Sequence, residues 1–211
     1  MGEAEVGMTN ETVMRAVLRV GDGRGFVVDS GNSIGLPERI VITAAHCLPS
    51  LLPYFSAVAS YEYTFPNLLG PLDASPTVWA ECMFADPRAD IAVLAQPDNQ
   101  ALFEQAKAYD RLMRDTAAVP VADVPEGTGY VLTLDGKWKQ GRLERFGYML
   151  GFAPERYIAP GMSGSPIVSA AGAAIGLIST SSKGAFDGLA PFHPVLLDCL
   201  PAWLTKQLVS G

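Results

Sequence analysis

The segment that decides how this sequence is interpreted runs Ala159-Pro160-Gly161-Met162-Ser163-Gly164-Ser165-Pro166. It is a loop of small residues with the Ser163 hydroxyl at its centre. Glycines on either side give the backbone conformations that a Cβ would forbid, and they let a bound carbonyl group approach the main chain. If Ser163 is a nucleophile, the N–H groups of Gly161 and Ser163 can stabilise an oxyanion. Losing one such donor typically lowers the rate about 100-fold to 1,000-fold.

A serine hydroxyl is a weak nucleophile until a neighbouring base takes its proton. The sequence holds two histidines, His46 and His193. His46 follows an apolar, strand-like segment, and Asp90 precedes another. Taken singly, each has an ordinary structural interpretation: a hydrogen-bonded core histidine, a turn aspartate and a loop serine. We interpret His193 as a helix-capping or surface residue.

Composition narrows the class of protein. Hydrophobic residues make up 49% and charged residues 18% of 211 residues, as in a well-packed globular chain. The net charge of −7 argues against nucleic acid as a partner, because phosphate binding needs a basic face. No apolar run approaches the roughly 20 residues that span a bilayer, so no membrane partner is expected. Three widely spaced cysteines indicate reduced thiols, with no metal and no cofactor.

The acidic N-terminus lacks the basic and apolar regions of a signal peptide. The expected location is therefore the cytoplasm, unless a signal has been removed.

The pattern of apolar residues and turn signals predicts two groups of short strands separated by a helix. Six strands can close a small barrel, and the predicted organisation is a β lobe over 12–95, a helical connection over 96–116 and a second β lobe over 117–211. The strands are predicted at 13–20, 25–29, 39–43, 56–65, 77–84 and 91–94, then at 118–124, 129–134, 141–145, 148–152, 167–168, 173–180 and 189–192. Helices are predicted at 96–115 and 194–209, after a loose leader over 1–11.

Three motifs occur together: TAAHC at 43–47, DIAVL at 90–94 and PGMSGSP at 160–166, followed by an apolar strand at 174–179. Their order, His, Asp, Ser, is that of the two-barrel serine proteases, and other triad hydrolases use other orders. Over about 13–182 the sequence resembles the trypsin/chymotrypsin-like superfamily. It is most similar to the bacterial HtrA-type and glutamyl-endopeptidase-type branches.

The resemblance implies a mainly β fold of two six-stranded antiparallel Greek-key barrels. It also implies a serine endopeptidase acting through an acyl-enzyme on protein or peptide substrates. Ser163 would attack the carbonyl, His46 would act as base and acid, Asp90 would orient His46, and Gly161 with Ser163 would form the oxyanion hole. By the same analogy the primary substrate pocket is lined by Ile158, Ala159, Tyr157, Ser179, Thr180 and Ser181.

The sequence also departs from the family. Met162 stands where trypsin has the aspartate of its zymogen switch, and Cys47 lacks the partner that secreted animal members have on the preceding strand. The C-terminal part is too short for the PDZ domain of HtrA proteins. Ile178 occupies the place of the histidine of glutamyl endopeptidases, so glutamate specificity does not carry over. With no acidic residue expected in the pocket, a small or medium apolar side chain is favoured over Arg or Lys.

Three functions stay open at this stage. The first is an endopeptidase that is active by itself. The second is a protease that stays silent until an activating protein partner rearranges the oxyanion loop. The third is a non-catalytic binding module on the same fold.

Overall fold

The computed structural model describes residues 9–30, 38–49, 55–56, 63–122, 127–146, 149–153, 158–180, 192–196 and 200. Short 3-10 turns cover Ala45–Cys47 and Gln100–Leu102. The helices are α1 (Thr9–Arg15) and α2 (Phe103–Asp115). The strands are β1 (Val17–Val20), β2 (Gly23–Asp29), β3 (Arg39–Thr43), β4 (Phe55–Ser56), β5 (Thr64–Pro71), β6 (Val78–Asp86), β7 (Ile91–Ala95), β8 (Gly127–Leu132), β9 (Trp138–Phe146), β10 (Met149–Ala153), β11 (Pro166–Val168), β12 (Ala174–Thr180) and β13 (Phe192–Leu196).

The first sheet closes into an antiparallel barrel. Its strands run in the order β6-β5-β1-β2-β3-β7, and β7 pairs again with β6, so that the ring of six strands is complete. The short β4 pairs with Phe84 and Ala85 of β6, beyond the part of β6 that pairs with β5. This arrangement confirms the first predicted barrel. Closure leaves no open edge among the six ring strands.

The barrel core is made of apolar side chains from every ring strand. Strands β3 and β7 are apolar along nearly their whole length and are buried, as expected for strands covered on both faces. The same hydrophobic cluster continues into the second sheet through Val168, Ala174 and Leu177. The two sheets therefore share one continuous core.

The second sheet has six antiparallel strands in the order β10-β9-β8-β11-β12-β13. If the short β4 is left out and the six strands of each sheet are numbered one to six along the chain, both sheets have the same order when each is followed as a ring. A separate core lies inside it, comprising Val131, Leu143, Ile158, Met162, Ile167, Ile175 and Ile178. Among the described residues no hydrogen-bonded pairing joins β10 to β13. The second sheet is therefore a six-stranded antiparallel sheet, and a full second barrel is not confirmed.

Two predictions in the N-terminal half are wrong. Thr9–Arg15 forms helix α1 where a leader and the start of a strand were expected, and the buried Val13 and Ala16 are three residues apart, as on one face of a helix. Of the strand predicted at 56–65, residues 57–62 lie outside the described residues, and the predicted end is wrong: β5 begins at Thr64 and continues past 65, through a Pro- and Gly-containing segment, to Pro71. Asn67 takes a φ of +51° there, which shifts the register with β6 and keeps the strand in the sheet.

The C-terminal part also differs from the prediction. Phe192–Leu196 forms strand β13, paired with β12, where the beginning of a helix over 194–209 was expected. Pro194 is compatible with this strand because β13 is at the edge of the sheet. The later part of the predicted helix lies outside the described residues, apart from Leu200. Of the strand expected at 118–124, the described residues 118–122 form only a single bridge, between Val121 and Ala174.

Helix α2 confirms the part of the predicted helix from Phe103 to Asp115, whereas residues 96–99 are not helical; α2 packs against the first barrel through β6. Tyr109 is buried and donates its hydroxyl proton to the carbonyl of Arg39 at 3.1 Å. The Arg39 guanidinium in turn donates to the carbonyl groups of Met113 and Thr116, at 2.7 Å for Thr116. These bonds satisfy carbonyls at the C-terminal end of the helix, which have no partner within the helix. In the part of the chain that the structure describes, no helix is long and apolar enough to cross a membrane.

We expect Arg39→Leu to lower the free energy of unfolding by about 1–3 kcal/mol, because hydrogen bonds to two carbonyl groups at the end of α2 are lost. Asp29→Asn is the matched control. It removes only the exposed ion pair of Arg39, at 2.9 Å, and should change the free energy of unfolding by less than about 1 kcal/mol. Urea denaturation of the three proteins measures both effects. Equal effects of the two substitutions would contradict the capping role.

Candidate active site

His46 lies at the rim of the first barrel, directly after β3. The strand ends at Thr43, whose hydroxyl donates to the carbonyl of Arg24 at 2.7 Å. The 3-10 turn Ala45–Cys47 follows, with Ala45 and Cys47 buried and 34% of the His46 side chain exposed. The buried neighbours on either side hold the imidazole at the surface of the barrel.

Asp90 is the last residue before β7 and takes a φ of +57°. This left-handed conformation is uncommon outside glycine, although aspartate tolerates it better than most residues. It lets both carboxylate oxygens meet His46: Oδ1 accepts the backbone N–H at 2.9 Å, and Oδ2 lies 2.7 Å from Nδ1. The Ser179 hydroxyl of β12 also donates to Oδ2. With Nδ1 bonded to the carboxylate, Nε2 is the ring nitrogen that remains for other chemistry.

The charge state of His46 follows from these contacts. The hydrogen bond to the Asp90 carboxylate, assisted by the Cys47 sulfur 4.0 Å from Nε2, raises the pKa of His46 to about 10. Burial acts in the opposite direction and is outweighed. At neutral pH the resting imidazole is therefore mainly protonated, and it acquires an unprotonated Nε2 as the pH rises.

The Ser163 loop is a tight turn fixed by its own backbone and by β12. The N–H of Gly164 donates to the carbonyl of Ile178 at 2.6 Å, and the N–H of Ile178 donates to the carbonyl of Ser165 at 2.9 Å. Met162 is fully buried in the core of the second sheet and anchors the loop. Among the described residues no acceptor takes the N–H of Gly161 or of Ser163. The N–H groups on either side of Met162 therefore have no acceptor within the described structure.

The Ser163 loop packs directly against the first barrel. The N–H of Arg24 in β2 donates to the carbonyl of Ser163 at 2.7 Å. Cys47 Sγ lies 3.7 Å from the same carbonyl oxygen and 4.0 Å from Nε2 of His46. The approach is so close that a Cβ at Gly164 would lie 1.9 Å from the Arg24 carbonyl oxygen, and a Cβ at Gly23 would lie 2.8 Å from that of Ser163. His46 and Ser163, which belong to different sheets, thus both contact Cys47.

The predicted substrate-binding residues have different positions. Ser179 is buried in β12, with its hydroxyl bonded to Asp90. Thr180 ends the same strand, and Tyr157 and Ser181 lie outside the described residues. Ile158 is buried beside the serine loop. The described residues include no group of three or more His, Cys, Asp or Glu that could hold a metal ion.

Sequence reasoning missed three contacts of this site. The hydroxyl of Ser179 lies on Asp90, the free thiol of Cys47 touches both His46 and Ser163, and Arg24 holds the serine loop. A cysteine beside the candidate base was visible in the sequence. Its contact with Ser163 spans 116 residues of chain, and no local pattern predicts such a contact.

Asp90→Asn should return the pKa of His46 toward its ordinary value near 6.5, because the carboxylate that favours the imidazolium is removed. Titration of the ring nitrogens by nitrogen-15 NMR measures the pKa, and loss of the signals in His46→Gln distinguishes His46 from His193. In the wild-type protein the imidazolium should persist above pH 8. An ordinary wild-type pKa, or an unchanged pKa in Asp90→Asn, would contradict the proposed coupling.

Gly164→Ala should displace the serine loop from the first barrel. The residue has a φ of +81°, and the added methyl group would meet the Arg24 carbonyl at 1.9 Å. We expect a loss of at least about 2 kcal/mol in the free energy of unfolding. Gly136→Ala is the control for strain alone, since its φ is +76° and nothing lies within 4 Å of the added Cβ. Urea denaturation should show a clearly smaller loss of unfolding free energy for Gly136→Ala. Equal losses would argue against the close contact between the serine loop and the first barrel.

Comparison with known proteins agrees with this arrangement. The model of the trypsin-like peptidase domain family matches residues 23–177. No curated protein sequence matches the chain. The structure is similar to that of the serine protease of a human pathogenic astrovirus, with a TM-score of 0.52 and 18% identity over 88% of this chain and 91% of that chain. It is also similar to the serine endoprotease from Yersinia pestis, with a TM-score of 0.56 and 13% identity over 100% of this chain and 69% of that chain.

At these identities the two structures establish a shared fold alone. The family match covers most of the chain and includes the segments that carry His46, Asp90 and Ser163. With a closed antiparallel barrel, a second sheet of the same strand order and the serine loop seated between them, the chain belongs to the trypsin-like peptidase domain family.

Proposed function

We propose that this protein is a serine endopeptidase in which His46, Asp90 and Ser163 form the catalytic triad. The observation that carries the proposal is the bond of 2.7 Å between Asp90 Oδ2 and His46 Nδ1. Because Nδ1 is bonded to Asp90, we assign Nε2 to proton transfer. Nε2 lies 4.0 Å from Cys47 Sγ, and the same sulfur lies 3.7 Å from the Ser163 carbonyl oxygen.

The chemistry follows from these positions. Ser163 Oγ attacks the substrate carbonyl carbon while His46 Nε2 takes the hydroxyl proton. The negative charge of the tetrahedral intermediate is stabilised by the N–H groups of Gly161 and Ser163, which have no acceptor among the described residues. Asp90 stabilises the imidazolium that forms. His46 then protonates the departing amine, the acyl group stays on Ser163, and a water molecule activated by His46 releases it.

The raised pKa of His46 has a consequence for the proposed reaction. The base is active only when Nε2 carries no proton, so its active fraction rises with pH towards the pKa of about 10. Hydrolysis should therefore be faster in mildly alkaline than in neutral solution.

The class of substrate is inferred from the family and not from the geometry of the site. A protein or peptide substrate is implied by the family, and the preference for a small or medium apolar side chain in the primary pocket stays a prediction. The activating partner and the location in the cytoplasm likewise stay predictions. Neither is needed for the chemistry above.

Labelling with a fluorophosphonate probe tests the proposal. Wild-type protein should be labelled, at a rate that increases from pH 6 to pH 9, and Ser163→Ala should not be labelled. His46→Ala should label at least about 100-fold more slowly, because the general base is lost. Ser165→Ala is the matched control: it removes a buried hydroxyl with no partner in the described structure, two residues away, and should label like the wild type.

Two outcomes would overturn the proposal. A folded wild-type protein that is not labelled at any pH in this range would contradict an enzyme that is active by itself. Labelling that persists in Ser163→Ala would place the nucleophile elsewhere. Circular dichroism of each variant shows whether lost labelling reflects lost chemistry or lost structure.

A further inference from the structure

The hairpin of β1 and β2 places two arginines opposite each other. Arg19 and Arg24 are direct cross-strand partners, joined by a turn at Gly21 and Asp22. Directly opposed side chains lie on the same face of a sheet, and like charges in this position are destabilising. In a chain with a net charge of −7, acidic residues were available to replace either arginine. The pair is thus an electrostatically unfavourable arrangement.

Arg24 is the more unusual member of the pair. It is only 6% exposed, and its Nη1 donates to the carbonyl of Leu132 at the end of β8, at 2.9 Å. A guanidinium has five N–H donors, and this bond uses one of them. Burial, followed by the nearby charge of Arg19, lowers the pKa of Arg24. A buried cation of this kind is costly unless an anion accompanies it.

The described residues supply no such anion. Arg19 is partly exposed, and its Nε donates to the carbonyl of Gly21 at 3.0 Å. Among the described residues no carboxylate forms an ion pair with Arg19 or Arg24. Asp22, in the turn between them, is exposed and pairs with neither. Apart from these bonds to carbonyl groups, the guanidinium donors of the pair have no partner in the described structure, and those of the partly exposed Arg19 are accessible from outside.

The position of the pair relates it to the candidate active site. The N–H of Arg24 holds the carbonyl of Ser163 at 2.7 Å. The turn beyond Leu132 brings Leu134 to 3.7 Å from a Cβ built on Gly161. Arg24 therefore lies beside the serine loop and between the two sheets, whereas the predicted primary pocket lies along the end of β12.

We propose that Arg19 and Arg24 together bind a carboxylate side chain of the peptide substrate, at a position other than the one that enters the primary pocket. The inference rests on the proposed function, because it assigns the partner to a peptide bound across Ser163. The protein then selects substrates that carry Asp or Glu near the scissile bond. The guanidinium fork suits a carboxylate, with which it forms short, charge-assisted hydrogen bonds.

Binding measured without catalysis tests this proposal. The probe is a set of fluorescent decapeptide mixtures in which each position in turn is fixed as Glu or as the isosteric Gln. They are titrated into the Ser163→Ala protein, which cannot cleave them. At least one position should show about 10-fold tighter binding of Glu than of Gln, the effect expected of a hydrogen bond to a charged group. The preference should shrink as the salt concentration rises.

The substitutions assign the preference to the pair. Arg19→Gln, added to Ser163→Ala, should abolish the preference for Glu, and Arg19→Lys should retain part of it. Arg111→Gln removes the same charge from an exposed position on α2 and should leave the preference intact. Arg19 is chosen because it is partly exposed, whereas replacing the buried Arg24 endangers the fold. Circular dichroism checks that each variant is folded.

A protein that binds peptides without preferring Glu at any position would overturn the inference, as would a preference that survives in Arg19→Gln. Either result leaves the proposed function intact if the wild-type protein is labelled by the phosphonate. Conversely, a preference for Glu in Ser163→Ala together with an unlabelled wild type would refute the peptidase and keep the carboxylate site. The two failures are therefore distinguishable.

Discussion

The structure of the site depends on the close contact of the serine loop with the first barrel. The Arg24 N–H and the Ser163 carbonyl meet at 2.7 Å, and the backbones approach so closely that Gly164 has no room for a Cβ. Each sheet could form a core by itself, but neither alone would bring a serine next to a histidine. This contact fixes their relative position. The continuous core formed with Val168 and Leu177 makes it rigid.

The electrostatics of the site have one centre, the carboxylate of Asp90. Its oxygens accept the backbone N–H and contact the ring Nδ1 of His46, and they also accept the Ser179 hydroxyl from the second sheet. A carboxylate with these three partners fixes the orientation of the imidazole and favours its protonated form. The same bond from Ser179 ties the second sheet to the first on the far side of His46. The orientation of the His46 ring and a contact between the two sheets therefore rest on the same side chain.

Sequence reasoning succeeded where local pattern determines structure. Apolar strands at regular spacing predicted the first barrel, and a 3.6-residue period predicted α2. It failed where another feature overrides the local pattern. In β5 the left-handed Asn67 keeps the strand in the sheet through a segment rich in turn residues. At Phe192–Leu196 the pairing with β12 makes the segment a strand. His46 and Asp90 were selected as a pair from their motifs. The contacts of Cys47 and Arg24 with Ser163 join distant parts of the chain, and only the folded structure displays them.

Besides the left-handed Asn67 of β5, three locally unfavourable features lie together. Asp90 has a left-handed backbone, Arg19 and Arg24 oppose like charges, and Arg24 is buried without a described carboxylate. All of them border the place where the two sheets meet around Ser163. Such a concentration of locally unfavourable features is expected at a functional site. The two cores supply the stability that this arrangement requires, because Met162 anchors one side and the residues flanking His46 anchor the other.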